Sequence, residues 1–253
     1  MTEFSYQLYS SRNFGPLPRT LAMLSELGYS QVEGYGALFD GMDESSIARF
    51  KSDLDKAGLT MPTAHFGLDM LEADPQRAVA AARALGVQAV YCPYLQAEDR
   101  PGDVAGWQAF ARRLDEAGKP MRDAGLIFGW HNHDFEFAPI DGERRPQAIV
   151  FDTAPDLSWE ADIAWIVRGG ADPLEWIERY GDRISAVHIK DIAPAGQNAD
   201  EDGWADVGHG TVDWPAIMTA LRDTPVRYFI MEHDNPADEE RFARRSIAAA
   251  RTF

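Results

Sequence analysis

Three short apolar runs of this chain lead into side chains that bind divalent cations. LSWEAD ends in Asp162, ISAVHIK carries His188, and RYFIME ends in Glu232. Upstream, LIFGWHNHDFEF closes a further run with His131, Asn132, His133 and Glu136. Two carboxylates and an imidazole form a mixed N/O set that suits Mn²⁺, Mg²⁺, Co²⁺ or Zn²⁺ better than a thiolate-seeking metal. Mn²⁺ is the first choice among these. The fourth ligand is expected from the run before Asp162, with His131 first and His133 and Glu136 as alternatives. Such a site supports proton removal next to a carbonyl, with the metal stabilising the enediolate. Glu232 is then a ligand, a base, or both, provided it reaches the acidic carbon hydrogen.

These residues need elements that bring them together. Short β-rich runs alternate with helical patterns, and the spacing predicts strands over Phe4–Tyr9, Gln31–Tyr35, Met61–Phe66, Ala89–Cys92, Leu126–His131, Leu157–Asp162, Ile184–Ile189 and Tyr228–Glu232. TLAMLSELG and DESSIARFKSDLDKAG carry apolar residues at helical spacing and stop at Gly28 and Gly58, as C-terminal glycines do. DPQRAVAAARALG has a proline near its start and Gly86 at its end. The longest helix is expected over Val104–Ala124. Further helices are expected in DPLEWIERYG, VDWPAIMTALRD and ADEERFARRSIAAAR. ERRPQAIVFDTAPD predicts a loop or a short helix, and Ile192–Val212 a long glycine-containing loop.

Strand–helix alternation implies parallel strands with helical crossovers. Eight strands close most naturally into a single-domain α/β (β/α)8 TIM barrel spanning residues 1–253. An open doubly wound sheet is the competitor, but no G-x-G-x-x-G turn follows the first strand. In such a barrel the chemistry sits at the C-terminal ends of the strands, where the candidate ligands fall.

Each residue also has a plainer reading. An acid ending a strand can cap the next helix, and a single buried histidine is often a satisfied core residue. The joint pattern over four consecutive strands carries the metal site. Around it, Glu33 and His65 end strands two and three and are expected to meet substrate hydroxyls, as are His133, Glu136 and Trp165. Lys190 is expected to touch a substrate oxygen or stabilise developing negative charge; its plainer reading is an ion pair with a neighbouring acid. Aromatics such as Tyr35, Trp165 and Trp204 could wall a sugar ring.

Composition excludes other classes. The net charge is −17, from 41 acids against 24 bases, which argues against nucleic acid and against anionic membrane surfaces. The apolar runs fall short of the roughly 20 residues that span a bilayer. Cys92 is the one cysteine, so no intramolecular disulfide can form. The N-terminal MTEFSYQLYSSRNF has no basic region followed by an apolar core. A cytoplasmic protein is the resulting expectation.

The chain resembles the sugar phosphate isomerase/epimerase family, the xylose isomerase-like barrels. The resemblance rests on QLYS, VEGYG, TAHFGL, WHNHDFEF, WEADIAWIVRGGADPLEWIERYGDRISAVHIKD, VGHGTVDWPAI and MEHD. It implies a divalent metal held by residues of strands five to eight, three of which carry over to Asp162, His188 and Glu232. Many members have a glutamate where this chain has His131. In the epimerases that glutamate is one of two bases, so its replacement questions a two-glutamate mechanism. A histidine there could bind metal or act as acid or base near neutral pH.

The implied function is a metal-dependent isomerase or epimerase acting on a small-molecule sugar or cyclitol. The H-N-H-x-x-E-F form resembles members that act on keto-sugars. The first alternative is therefore a lyase or dehydratase on a keto-sugar, inosose or 3-keto-glycoside. The second is a non-catalytic sugar-binding barrel. A DNA-repair endonuclease would need a richer ligand set and a basic face. The resemblance also suggests a homodimer paired through loops at the barrel mouth.

Overall fold

In a computed structural model, which describes residues 3–253, eight parallel strands close into a barrel. They are β1 (Phe4–Gln7), β2 (Gln31–Gly34), β3 (Thr60–His65), β4 (Ala89–Cys92), β5 (Ile127–His131), β6 (Ser158–Asp162), β7 (Ile184–Ile189) and, after a two-stranded hairpin of β8 (Asp191–Ile192) and β9 (Trp204–Ala205), β10 (Tyr228–Met231). Each barrel strand pairs with its sequence neighbour, and β1 pairs with β10 to close the ring. The strands are buried almost throughout, as expected where helices cover the outside and side chains fill the inside.

The crossovers, beginning with α1 (Leu17–Glu26) and including the short α3 (Leu68–Ala73) after β3, start and stop where local chemistry dictates. Asp43 accepts a hydrogen bond from the Ser46 amide to cap α2 (Glu44–Ala57), and Gly58 ends it at φ 69°. Asp74 caps α4 (Pro75–Leu85), and Gly86 ends it at φ 81°. Only glycine takes this left-handed turn at no steric cost. The 20-residue α5 (Val104–Asp123) is the longest helix, as expected. ERRPQAIVFDTAPD holds the short helix α6 (Pro146–Thr153). The long loop expected after β7 carries the β8–β9 hairpin.

Only β4 and β7 match the expected strand bounds at both ends; β2, β3, β5 and β6 shift by single residues, and two other ends bear on the site. β1 stops at Gln7 rather than Tyr9, because the Gln7 side chain accepts from the Tyr9 amide and turns Leu8–Ser11 into a 3-10 helix. β10 stops at Met231, one residue before Glu232. Among the described residues no helix is long and apolar enough to cross a membrane.

Inside the barrel, alternate residues point to the axis. Ala89, Tyr91, Ala186, Tyr228 and Ile230 form an apolar cluster separate from the main core. Counting on by two from them and from Gly129 reaches His131, His188 and Glu232. Gly129 provides room for this packing: a Cβ there would stand 2.3 Å from the Ser158 carbonyl oxygen and 3.0 Å from the Tyr91 ring. Gly129→Ala should therefore cost about 2 kcal/mol by overpacking against backbone. Gly102, with nothing within 4 Å of a built Cβ, is the control, and Gly102→Ala should stay within about 0.5 kcal/mol of wild type. Urea unfolding of the two variants checks both values.

Candidate metal centre

Strands β5, β6, β7 and β10 are successive in the barrel, and they deliver His131, Asp162, His188 and Glu232 to one place. One ligand atom from each lies within 4.8 Å of the other three, and all four residues are buried. Asp162 serves two ends at once. Its Oδ1 accepts from the Trp165 amide at 2.9 Å and caps α7 (Ile163–Arg168), so the helix-cap reading also holds. Its Oδ2 is buried with no hydrogen-bond partner. A fixed carboxylate with one unpartnered oxygen aimed among an imidazole pair and a second carboxylate fits a divalent cation.

The register of β5 against β6 is locked by Asn132. Its side-chain oxygen accepts from Trp159 Nε1 at 2.8 Å and from the Asp162 amide at 3.1 Å, and its Nδ2 donates to the Asp162 carbonyl. The middle residue of H-N-H thus holds its neighbours in place.

A second layer of charge lies beside the ligands. Glu160 precedes Asp162 by two residues and so shares its inward face. Its Oε2 stands 2.6 Å from His65 Nε2 and 3.0 Å from His131 Nδ1. Glu33 Oε1 stands 2.7 Å from His188 Nε2 and accepts from Gln7 Nε2 at 2.8 Å. The other ring nitrogen of His188, Nδ1, is 2.9 Å from Glu232 Oε2. His65, His131, Glu160 and His188 therefore make a second cluster with ligand atoms within 4.8 Å. The sequence reading missed Glu160 and Gln7. The signal for Glu160 was the two-residue period within W-E-A-D.

Burial would strip these acids of charge, and the neighbours decide which keep it. Glu232 is held well below the ordinary carboxylate range: burial pushes it up, but Lys190 and His188 outweigh that. Glu33 is likewise held down by His65 and His188 against burial. Asp162 is pushed up to about 7 by burial, which Lys190 only partly offsets. His188 is raised well above its usual value, the surrounding Glu160, Glu232 and Glu33 overcoming burial. A cation bound at Asp162 and His188 must therefore displace protons, which makes binding strengthen as pH rises.

Lys190 is buried, paired with Asp234 and 3.2 Å from Glu232, and lies over the rings of Trp204 and Trp165 at 4.4 and 5.0 Å. It is the ion pair of the plainer reading and does not line the mouth cavity. Its place is to keep Glu232 ionised.

The mouth holds a cavity of about 660 Å³, with Tyr9, Tyr35, Tyr94 and Trp165 giving it aromatic faces. His65, His131, His133 and Glu232 also line it, so these expected site residues and Trp165 face one space. His133 packs against Tyr94 and Trp165, and burial lowers its pKa to about 3, so it stays neutral. A larger groove of about 1,150 Å³ runs outside the barrel beside α2 and α4, but none of these groups lines it.

Two expected substrate contacts lie elsewhere. Glu33 sits within the barrel, its Oε1 taken by Gln7, His188 and His65. Glu136 faces away from the cavity, accepting from Trp130 Nε1 at 3.0 Å and from the His133 amide at 3.0 Å. It neither lines the cavity nor joins either ligand cluster. Inward His131 makes its neighbour Trp130 point outward, and Glu136 follows the indole.

Burial raises the Glu136 pKa from 4.5 to about 8. The folded chain then holds a proton that the unfolded chain has lost between those values, so stability falls as pH rises from about 4.5 through about 8. Glu136→Gln removes the titration and should flatten that part of the profile, as measured by urea unfolding of both proteins across the interval. An unchanged slope would assign it to other groups.

A family model described as xylose isomerase-like TIM barrel matches residues 21–253. The inosose dehydratase of Lacticaseibacillus casei is 32% identical over 133 residues, which is 47% of this chain and 43% of that protein. The chain thus spans less than half the length of the curated relatives it matches. Among solved structures, a sugar phosphate isomerase/epimerase from Parabacteroides distasonis ATCC 8503 superimposes with a TM-score of 0.82 at 22% identity, covering 98% of this chain and 94% of that one. The IOLI protein, solved with a zinc atom, gives 0.76 at 16% identity over 99% and 96%. The two structural likenesses are likenesses of fold.

Proposed function

The chain belongs to the xylose isomerase-like TIM barrel family, and from that premise we propose that it is a divalent-metal-dependent isomerase or epimerase of a sugar or cyclitol. The observation that carries the reading is the convergence of four buried ligand atoms at the floor of an aromatic-walled cavity, with Glu232 as the one member of the set that is both ionised and on the cavity wall. His131, Asp162, His188 and Glu232 would hold the ion. Mn²⁺ is our first choice, and the zinc atom of the IOLI protein supports Zn²⁺ as the next. When bound, the ion supplies Lewis-acid stabilisation of negative charge on a carbonyl oxygen.

The chain's own groups do the rest. His188 and Lys190 both contact Oε2 of Glu232, leaving Oε1 free of protein partners among the described residues. That oxygen takes the proton from the carbon beside the carbonyl, and the electron pair moves to the carbonyl oxygen. Neutral His133 faces the same cavity and is placed to pass protons to and from the substrate. Returning the proton to the opposite face gives the epimer, and returning it to the adjacent carbon gives the isomer. Tyr9, Tyr35, Tyr94 and Trp165 offer apolar faces to the ring. The single, buried Cys92 suits a reducing cytoplasmic setting.

A second reading has its own support. An imidazole at residue 131 leaves only one carboxylate in the ligand set facing the cavity, which suits expulsion of a β-oxygen after the first proton loss. The likeness to an inosose dehydratase points the same way.

NMR in D₂O with Mn²⁺-loaded protein and a panel of ketoses, inososes and 3-keto-glycosides tests both. Solvent deuterium beside the carbonyl is expected, and the product separates epimerisation, isomerisation and dehydration. Glu232→Gln should lower kcat by about 10³-fold with an unchanged circular dichroism spectrum. Full activity in that variant would remove Glu232 from the role of base.

A further inference from the structure

Metal-binding histidines commonly donate their second ring N–H to a carboxylate, which fixes the tautomer and aims the ligating nitrogen. Here each candidate histidine ligand has a buried carboxylate nearest to it, on opposite ring nitrogens, although Glu160 Oε2 also stands 3.5 Å from His188 Nε2. Glu33 Oε1 is 2.7 Å from Nε2 of His188, and Glu160 Oε2 is 3.0 Å from Nδ1 of His131. We propose that Glu33 and Glu160 are positioning residues that impose opposite tautomers on the two histidines of the metal set, so that His188 presents Nδ1 and His131 presents Nε2. This rests on the metal site of the proposed function and adds to it which atoms bind.

The geometry supports a built device rather than incidental contacts. Nδ1 of His188 already faces the ligand set, 2.9 Å from Glu232 Oε2. Glu33 is held in turn by Gln7 Nε2 at 2.8 Å. His65 ties the two carboxylates together, with Nε2 at 2.6 Å from Glu160 Oε2 and 3.2 Å from Glu33 Oε1. Glu33 and Glu160 have no exposed surface and do not line the cavity, so substrate cannot be what they serve. Each also keeps one buried oxygen without a partner, Oε2 of Glu33 and Oε1 of Glu160. Leaving such atoms unpaired is unfavourable, and the orientation of two imidazoles is the gain that stands against it.

The test uses the full chain, labelled with ¹⁵N-histidine and loaded with Zn²⁺, which is diamagnetic. Long-range ¹H–¹⁵N spectra are expected to show His188 bound through Nδ1 with its proton on Nε2, and His131 bound through Nε2 with its proton on Nδ1. Glu33→Gln should mix the tautomers of His188, and Glu160→Gln those of His131. Each should weaken Zn²⁺ binding about 10- to 100-fold by calorimetry. Binding through the same nitrogen in both rings would overturn the proposal, and so would affinities within about twofold of wild type. Two zinc ions per chain would overturn it too, by making Glu33 and Glu160 ligands. If the variants do not fold, the wild-type spectrum alone decides. A wild-type chain that binds no zinc would sink the metal site itself, whereas a bound ion on the wrong nitrogen would sink only the tautomer assignment.

Discussion

His188 lies between two carboxylates, Glu232 on one ring nitrogen and Glu33 on the other, and the rest of the site is arranged around that bridge. Glu33, Glu160, Asp162 and Glu232 are all buried within a closed barrel. Carboxylates taken out of water at that density repel one another and lose hydration, and such charges persist only when paired and hydrogen-bonded. The counter-charges here are the imidazoles of His65 and His188 and the ammonium of Lys190, each within hydrogen-bond reach of at least one acid. Pairs of this kind are weak evidence for stability. What they provide is position.

The barrel makes that position rigid. An inward side chain on one parallel strand is fixed relative to the next by the ladder, and at β5 and β6 by Asn132 as well. The two-residue period then stacks the interior in layers. Apolar residues such as Ala186 and Ile230 fill the lower one, and His188 and Glu232, two residues on, begin the polar one. The outer faces of the same strands carry the core: Trp130 packs on Phe110 of α5 and is tethered through Glu136. A single alternation therefore separates what supports the site from what forms it.

This separation also explains what the sequence disclosed. Strand existence, order and closure followed from alternation and turn residues, and the strand-ending acids and histidines identified the mouth. Atom-level assignments did not follow. Glu33, Glu136 and Lys190 are polar residues at or just beyond strand ends, and their types alone are compatible with substrate contact. Only the fold shows that Glu33 faces His188, that Glu136 follows an outward indole, and that Lys190 is sealed by acids and indoles. Glu160 lies two residues before the strand-ending Asp162, so only the two-residue period, and not its place at a strand end, marks it. Its neighbour Asp162 was read with both of its roles, cap and ligand, as alternatives; the two oxygens of one carboxylate allow both.

The imidazole at residue 131 sets the chemistry of the β5 side of the site. Replacing a carboxylate by a neutral imidazole removes one negative charge from the side of the site that faces β5. Glu160 puts a carboxyl group 3.0 Å behind that imidazole, but burial and the neighbouring Glu33 raise its pKa, so it does not simply restore the missing charge. The capacity to take a proton directly from substrate is not kept, because general-base catalysis needs hydrogen-bond reach and Glu160 has no surface on the cavity. The arrangement therefore keeps four potential ligand atoms together while making the two sides of the cavity chemically unequal, a carboxylate on the β10 side and imidazoles on the β5 side.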